Sequence, residues 1–143
     1  MSGPIAQVLL DSSLPQLDHL FDYAIPERLS EDVIPGTRVR VPLRMGNRLV
    51  DAYVVGLTQT TDFAGSLQEI DSYVSKVPLL SNQLYALARR IADRQAGSAS
   101  DVLRLAIPPR YVRVEKAFLT AEAHETRAES RKRVAEVISA LPE

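Results

Sequence analysis

The spacing of apolar residues changes at Pro78, and this change constrains the fold more than any other feature. Before Pro78, apolar residues form short runs or alternate with polar ones, as they do in β-strands. After Pro78 they recur at intervals of three and four, as on one face of an α-helix. Strands followed by helices predict an α+β fold: a mostly antiparallel β-sheet or meander with two covering helices and a C-terminal helical extension.

The predicted strands occupy residues 5–10, 21–25, 37–41, 49–58 and 68–74. Residues 37–41 alternate polar and apolar side chains, which is typical of a half-buried strand. The Pro35-Gly36 pair predicts a turn before this strand, and residues 44–47 predict the hairpin connection that follows it. A further alternation over residues 111–119 predicts one last strand.

Ser81 and Ser98 are placed to begin two helices, and Gly97 is predicted to end the first. The apolar residues expected on the buried faces are Leu84, Leu87, Ala88 and Ile91 in the first helix, and Val102, Leu105 and Ala106 in the second. Near the chain end, Val134, Val137, Ile138 and Leu141 form an amphipathic stripe. Such a stripe needs a partner surface, so it predicts the start of a further module.

Composition excludes several classes of function. Lys and Arg total 17 against 18 for Asp and Glu, so any nucleic-acid site must be small, local or not chiefly electrostatic. The chain has no cysteine, no Gly-Lys-Ser/Thr phosphate loop and no Gly-x-Ser-x-Gly motif. These absences predict that this segment is not an enzyme and uses no cofactor. With no signal peptide or apolar run long enough for a membrane span, we expect a cytoplasmic protein without membrane contact.

Two sets of residues are candidates for binding. Asp22 lies between Phe21 and Tyr23, and on a strand its side chain should point away from theirs. This pattern fits two core aromatics beside a solvated aspartate, or an acceptor on a binding surface. Arg38 and Arg40 share one strand face, which fits either a solvated face or a DNA contact.

Read in order, several segments resemble the primosomal protein N-prime (PriA) family of replication-restart proteins. They are a strand over residues 6–10, Phe-Asp-Tyr at 21–23, Pro-Gly-Thr-Arg-Val-Arg-Val-Pro-Leu at 35–43, Val-Val-Gly-Leu at 54–57, Pro-Leu-Leu-Ser at 78–81, Ala-Asp at 92–93 and Asp-Val-Leu-Arg-Leu-Ala-Ile-Pro-Pro at 101–109. Each motif is short, but their order and spacing carry the resemblance over residues 6–114. The alanine-rich, basic ending resembles the actinobacterial branch.

The resemblance implies a domain that binds the 3′ end of the nascent leading strand at stalled or abandoned forks. The family's terminal-nucleotide pocket uses a Phe-Asp pair, which matches Phe21 and Asp22. It also uses a glycine and a lysine, whose positions fall near Arg44 and Gln68, with Gly46 able to replace the glycine if the hairpin is shifted. The DNA-binding residues predicted on this basis are Phe21, Asp22, Tyr23, Gly36, Arg38, Arg40, Arg44, Gly46 and Gln68.

The resemblance also implies a domain organisation. Residues 1–115 correspond to the DNA-end-binding domain, and residues 116–143 to a strand or helical linker leading to a missing winged-helix domain. ATP, Mg and Zn would belong to the helicase motor and zinc module elsewhere in the parent protein. Expected partners are DNA, the remaining PriA domains, single-strand DNA-binding protein and primosome components. Because Arg44 and Gln68 alter the pocket, a protein-interaction or scaffold domain with a degraded pocket is the alternative.

Overall fold

The computed structural model describes residues 3–43 and 48–139, without the side chains at 124, 126–128 and 130–138. The predicted hairpin, including Arg44 and Gly46, therefore lies outside the described residues, as do Leu141 and the side chains of the other residues in the C-terminal stripe. The elements are β1 (Ile5–Leu10), β2 (Leu20–Ala24), β3 (Arg38–Leu43), β4 (Arg48–Thr58), β5 (Ser72–Ser75), α1 (Asn82–Gln95), α2 (Ala99–Ala106) and α3 (Val112–Ser139). Two short 3₁₀ helices, Pro15–Leu17 and Glu27–Leu29, flank β2.

The five strands form one sheet in the order β2-β1-β4-β3-β5, and all its strand pairs are antiparallel. This arrangement confirms the predicted α+β class. The order is not that of a simple sequential meander, because β1 pairs with both β2 and β4. A bulge between Gln7 and Val8 shifts the β1–β4 register. β2 is left at one edge of the sheet.

The centre of the sheet, at β1 and the middle of β4, is buried on both faces, which explains the nearly uninterrupted apolar sequence of β1. Alternate residues such as Val8, Val39 and Val54 pack on one face with the segment that follows β2. Leu9 and Tyr53 point to the other face, where α1 and α2 cover them. The two covering helices were therefore predicted correctly.

Ser81 and Ser98 cap α1 and α2 as predicted, since their hydroxyls accept the backbone N–H groups of Leu84 and Asp101. The end of α1 differs from the prediction. The helix ends at Gln95, and Ala96, not Gly97, takes the left-handed conformation with φ of 53°. The N–H of Gly97 then donates to the carbonyl of Ala92.

The predicted buried faces of the helices were partly wrong. Leu87 and Ile91 are exposed, and Leu105 is 91% exposed. The contacts with the sheet are made by the smaller Ala88 and Ala92 and by Leu103. Small side chains let a helix approach the sheet closely, so volume at the contact, rather than hydrophobicity alone, selects the buried face.

Two predicted strands differ in the structure. The strand predicted at residues 68–74 begins later in the structure, as β5 (Ser72–Ser75), while Glu69 makes an isolated parallel bridge with Ala24. Residues 111–119 are not a strand, because α3 begins at Val112. The short alternation there is overridden by the continuous run of helix-forming Ala, Glu, Lys and Arg that follows, which allows the helix to propagate.

The chain divides into two compact units, residues 1–108 and 109–143. The first contains the whole sheet with α1 and α2, and the second contains α3. No helix in the described part of the chain is long and apolar enough to cross a membrane. The division places every described candidate residue in the first unit.

Candidate functional site

A cavity of about 730 Å³ lies along β2, within the usual range for ligand pockets. Residues 19–23 all line it, although successive side chains on a strand point to opposite faces. The cavity can contact both sets because β2 is an edge strand, and no strand among the described residues covers the side that faces away from β1. Leu14, Leu17, Leu43, Phe63, Leu67 and Gln68 complete most of the wall.

Asp22 is the acidic residue of this wall. Its side chain is partly buried, and its Oδ2 accepts a hydrogen bond of 2.6 Å from the hydroxyl of Thr61. Asp22 is paired across the strand with Gln7. Of the two readings of the Phe-Asp-Tyr motif, the cavity position favours an acceptor on a binding surface, although part of the acceptor capacity is used within the protein.

Aromatic rings supply much of the remaining surface. The rings of His19 and Phe21 stack with their centroids 4.0 Å apart and an interplanar angle of 28°. Tyr23 belongs to the core, and its hydroxyl donates to the carbonyl of Pro42 at 2.8 Å. Phe63, which is 40% exposed, reaches the cavity from the loop between β4 and β5. Flat, apolar ring faces of this kind suit stacking with a planar group.

Gln68 lines the same cavity and is held there by its backbone. Its carbonyl accepts the N–H of Ala24 at 2.9 Å, just beyond the end of β2. The structure therefore brings Phe21, Asp22, Tyr23 and Gln68 together at one cavity, and their role in binding DNA stays a prediction. The described residues of this wall include no lysine and no arginine.

Arg38 and Arg40 lie elsewhere on the sheet. Val39 and Val41 pack in the same core cluster as Phe21 and Tyr23, so the two arginines project from the opposite face. Arg38 lies over the ring of Tyr53, 4.9 Å from its centroid, and donates to the Tyr53 hydroxyl. Arg40 pairs with Asp51 across the strands at 3.2 Å. Both side chains thus contact the domain itself, and their role in DNA binding stays a prediction.

Gly36 is buried in the turn before β3, next to the segment that leads into α1, and it does not line the cavity. Its φ is +95°, and a Cβ added there would lie 2.6 Å from the carbonyl oxygen of Leu80. Its N–H donates to Val54, and its carbonyl accepts from Leu79 and Leu80. The close approach of the two backbone segments explains why this position is a glycine, and the explanation requires no ligand.

With this geometry established, comparison with known proteins decides the family. The sequence model of the PriA 3′DNA-binding domain (3′BD) matches residues 7–108. The chain belongs to the PriA 3′ DNA-binding domain family. The matched residues contain the sheet, the cavity and both covering helices.

Proteins similar to this chain are named as PriA. This chain is 44% identical over 109 residues to the "Probable replication restart protein PriA" of Mycobacterium tuberculosis (strain ATCC 25618 / H37Rv). The alignment covers 76% of this chain and 16% of the relative. The protein of the same name from Mycobacterium leprae (strain TN) is 42% identical over 107 residues, covering 75% and 16%. The "Replication restart protein PriA" of Bacillus subtilis (strain 168) is 29% identical over 104 residues, covering 72% and 13%.

The chain therefore spans about one sixth of the length of the mycobacterial PriA proteins that it matches. Its identity to them is higher than its identity to the Bacillus protein, which agrees with the predicted actinobacterial branch.

Phe63, which lines the cavity, and Thr61, which contacts Asp22, were not among the binding residues predicted from the sequence. Thr61 and Phe63 lie in a loop that reads as ordinary turn sequence, with Thr, Asp, Gly and Ser around a single aromatic residue. The only local signal was that aromatic residue in an otherwise polar loop. Their approach to β2 depends on a contact between residues 39 positions apart, which no local pattern reports.

Proposed function

We propose that this domain binds the 3′ end of the nascent leading strand at stalled or abandoned replication forks, as the DNA-binding part of a replication-restart protein. The observation that carries the proposal is the carboxylate of Asp22 in a cavity whose described wall contains no lysine or arginine. The description of the matched family, a 3′ DNA-binding domain, supports DNA as the ligand.

A carboxylate is poorly suited to hold a continuous phosphate backbone, because the two groups repel each other. It is well suited to accept a hydrogen bond from a hydroxyl or from a base amino group. The 3′ end of a DNA strand offers a free hydroxyl with no phosphate beyond it. Reading this end, rather than the backbone, also fits a chain with a net charge of −1.

The other cavity residues fit a terminal nucleotide. The rings of Phe21 and Phe63 provide apolar surface against which a base can stack, an interaction that tolerates any base. The amide of Gln68 can donate and accept hydrogen bonds at a base edge. Asp22 then receives the 3′ hydroxyl.

Fluorescence anisotropy with short 5′-labelled oligonucleotides tests this proposal. We expect a 3′ hydroxyl to be preferred over a 3′ phosphate by about 10- to 150-fold, the range for one hydrogen bond to a charged group. A phosphate on the 5′ end of an otherwise identical oligonucleotide is the control and should change affinity little. Equal affinities for 3′-hydroxyl and 3′-phosphate ends would refute recognition of the terminus.

The exposed apolar residues of the helical layer favour a second candidate. Leu87 and Ile91 are neighbours one turn apart on α1, and Leu105 on α2 is almost fully exposed. Such residues suit a protein contact, and the remaining PriA domains, single-strand DNA-binding protein or primosome components are the candidates. A scaffold role predicts negligible DNA binding together with capture of those proteins in a pull-down, so the oligonucleotide measurement separates the two functions.

Residues 116–143 are proposed to be the linker to a winged-helix domain. The position of α3 after the matched residues 7–108 supports this assignment. The length of the mycobacterial relatives, of which this chain covers 16%, leaves room for such a domain. The sequence that follows residue 143 in the parent protein tests it: a winged-helix pattern is expected there.

A further inference from the structure

The loop between β4 and β5 is connected directly to the carboxylate of Asp22. Thr61 in this loop donates its hydroxyl proton to Asp22 Oδ2, with 2.6 Å between the two oxygens. The contact joins residues 39 positions apart, so it depends on the folded domain. The same loop carries Phe63 into the cavity wall.

The Thr61 hydroxyl takes part in two hydrogen bonds, as the donor in one and the acceptor in the other. The backbone N–H of Phe63 donates to the Thr61 hydroxyl oxygen at 3.1 Å. A hydroxyl has a single proton, and an ionised carboxylate can only accept. The Thr61 oxygen therefore accepts from Phe63 while its proton is directed at Asp22.

This chain of hydrogen bonds leaves one carboxylate oxygen for a ligand. Oδ2 of Asp22 is occupied by Thr61, whereas Oδ1 has no hydrogen-bond partner among residues 3–43 and 48–139. Holding one oxygen restricts rotation of the carboxylate and so fixes the direction in which the other accepts. Ordering this group before a ligand arrives reduces the loss of conformational freedom on binding.

The loop is also packed beneath the aromatic ring. A Cβ added to Gly65 would lie 2.7 Å from a ring carbon of Phe63, so the ring rests directly against this glycine. The backbone of Phe63 is tied to Thr61 and its ring to Gly65. One short loop thus positions both the carboxylate of Asp22 and the aromatic ring of Phe63 in the cavity wall.

We infer that Thr61 is a positioning residue that orients Asp22 Oδ1 toward the terminal hydroxyl of the DNA strand and couples this orientation to the Phe63 wall. This inference rests on the proposed function. Thr61 acts through Asp22 and Phe63: its single hydroxyl proton is donated to Asp22, and its oxygen accepts the N–H of Phe63.

The test compares Thr61→Val, which keeps the branched shape and removes the hydroxyl, with Thr61→Ser, which keeps the hydroxyl. Thr60→Val is the matched control, because Thr60 is an exposed neighbour in the same loop whose side chain makes no hydrogen bond with any described residue. Affinity of the whole chain is measured for two oligonucleotides that differ only in a 3′ hydroxyl or a 3′ hydrogen. The preference for the hydroxyl is the dissociation constant of the 3′-hydrogen oligonucleotide divided by that of the 3′-hydroxyl oligonucleotide.

We expect Thr61→Val to lower this ratio about three- to tenfold, because the ligand must then order the Asp22 side chain itself. Thr61→Ser should restore the ratio to within about twofold of wild type, and Thr60→Val should leave it unchanged. A merely structural role for Thr61 would weaken binding of both oligonucleotides equally. Thermal unfolding of each variant checks folding, and Thr61→Ala replaces Thr61→Val if the valine variant does not fold.

The outcomes separate the two proposals. If the wild-type ratio is one, end recognition itself is wrong, and the role of Thr61 fails with it. If the wild-type protein prefers the hydroxyl and Thr61→Val keeps the same ratio, end recognition stands and the inference about Thr61 is overturned.

Discussion

Asp18 and Arg89 form a bidentate ion pair between the loop before β2 and helix α1. Nη2 of Arg89 lies 2.6 Å from Oδ2 of Asp18, and Nη1 lies 2.9 Å from Oδ1. Oδ1 also accepts the backbone N–H of Ala99 at the start of α2, at 3.1 Å. A single carboxylate thus connects the segment beside the cavity to both covering helices.

Asp18→Asn should lower the free energy of unfolding by about 1.5 to 3 kcal/mol, because Arg89 loses the more buried of its two carboxylate partners. Urea unfolding at neutral pH measures the change. Asp93→Asn is the control: this carboxylate also pairs with Arg89, but its side chain is 63% exposed. The control should change stability by less than about 0.5 kcal/mol, and an equally large effect would contradict the special role of Asp18.

The stability that Asp18 contributes should depend on pH. Its hydrogen bond with Arg89 holds the pKa of the Asp18 carboxyl below its usual value of 3.8, while the pKa of Arg89 is raised and the guanidinium stays charged. A carboxyl with a lowered pKa stabilises the fold above its unfolded-state pKa and loses this contribution as pH falls through the lowered value. The stability difference between wild type and Asp18→Asn should therefore be constant from pH 7 to about pH 5 and shrink below about pH 4. Urea unfolding across this range measures it; a difference that grew on acidification would have the wrong sign.

Asp22→Asn should remove the preference for a 3′ hydroxyl, because a neutral amide forms a weaker bond with a hydroxyl than a carboxylate does. We expect affinity for the 3′-hydroxyl oligonucleotide to fall by about 10- to 150-fold, measured by anisotropy. Asp62→Asn is the matched control, since Asp62 is an exposed carboxylate in the neighbouring loop and does not line the cavity. If both variants bound as wild type does, Asp22 would have no part in binding.

Gln68→Lys should strengthen DNA binding by adding a cation to the cavity wall, at the position where the resemblance to the family expects a lysine. One added phosphate contact should steepen the dependence of log Kd on log salt by about 0.7. A salt titration of affinity measures this slope. Gln59→Lys adds the same charge at an exposed position outside the cavity wall and should have a smaller effect. Equal slopes for the two variants would show that only the overall charge matters.

Gly36→Ala should lower the free energy of unfolding by about 1 to 3 kcal/mol, since an L residue is strained at φ of +95° and its Cβ would meet the Leu80 carbonyl. Thermal or urea unfolding gives the change, and Gly97→Ala, with open space around it, is the control. The preference for a 3′ hydroxyl should be unaffected in the folded fraction. A loss of that preference with normal stability would instead place Gly36 in the DNA site.

Helix α3 illustrates how local sequence can mislead. Residues 111–119 contain an alternation of aromatic and branched residues that suits a strand, yet Val112–Ser139 is one helix. Alternation over a few residues is a weak signal, and a long neighbouring run of strong helix formers outweighs it. The helix caps at Ser81 and Ser98 were predictable because capping depends only on residues three positions away.

The arginines of β3 show the corresponding limit for function. The sequence correctly placed Arg38 and Arg40 on one strand face, because side chains alternate along any strand. It did not reveal that this face carries Tyr53 and Asp51, which bind the two guanidinium groups. Such partners lie on another strand and become neighbours only when the register is set.

The sequence by itself determined the fold class, the helix caps and the family, because periodicity, capping and ordered short motifs are all read along the chain. Only the tertiary structure decided which charged residues remain available to a ligand. The sheet places Asp22 and Gln68 at one cavity, brings Thr61 to Asp22, and directs Arg38 and Arg40 to the other face. Availability depends on partners distant in sequence, and those partners are fixed by packing rather than by local pattern.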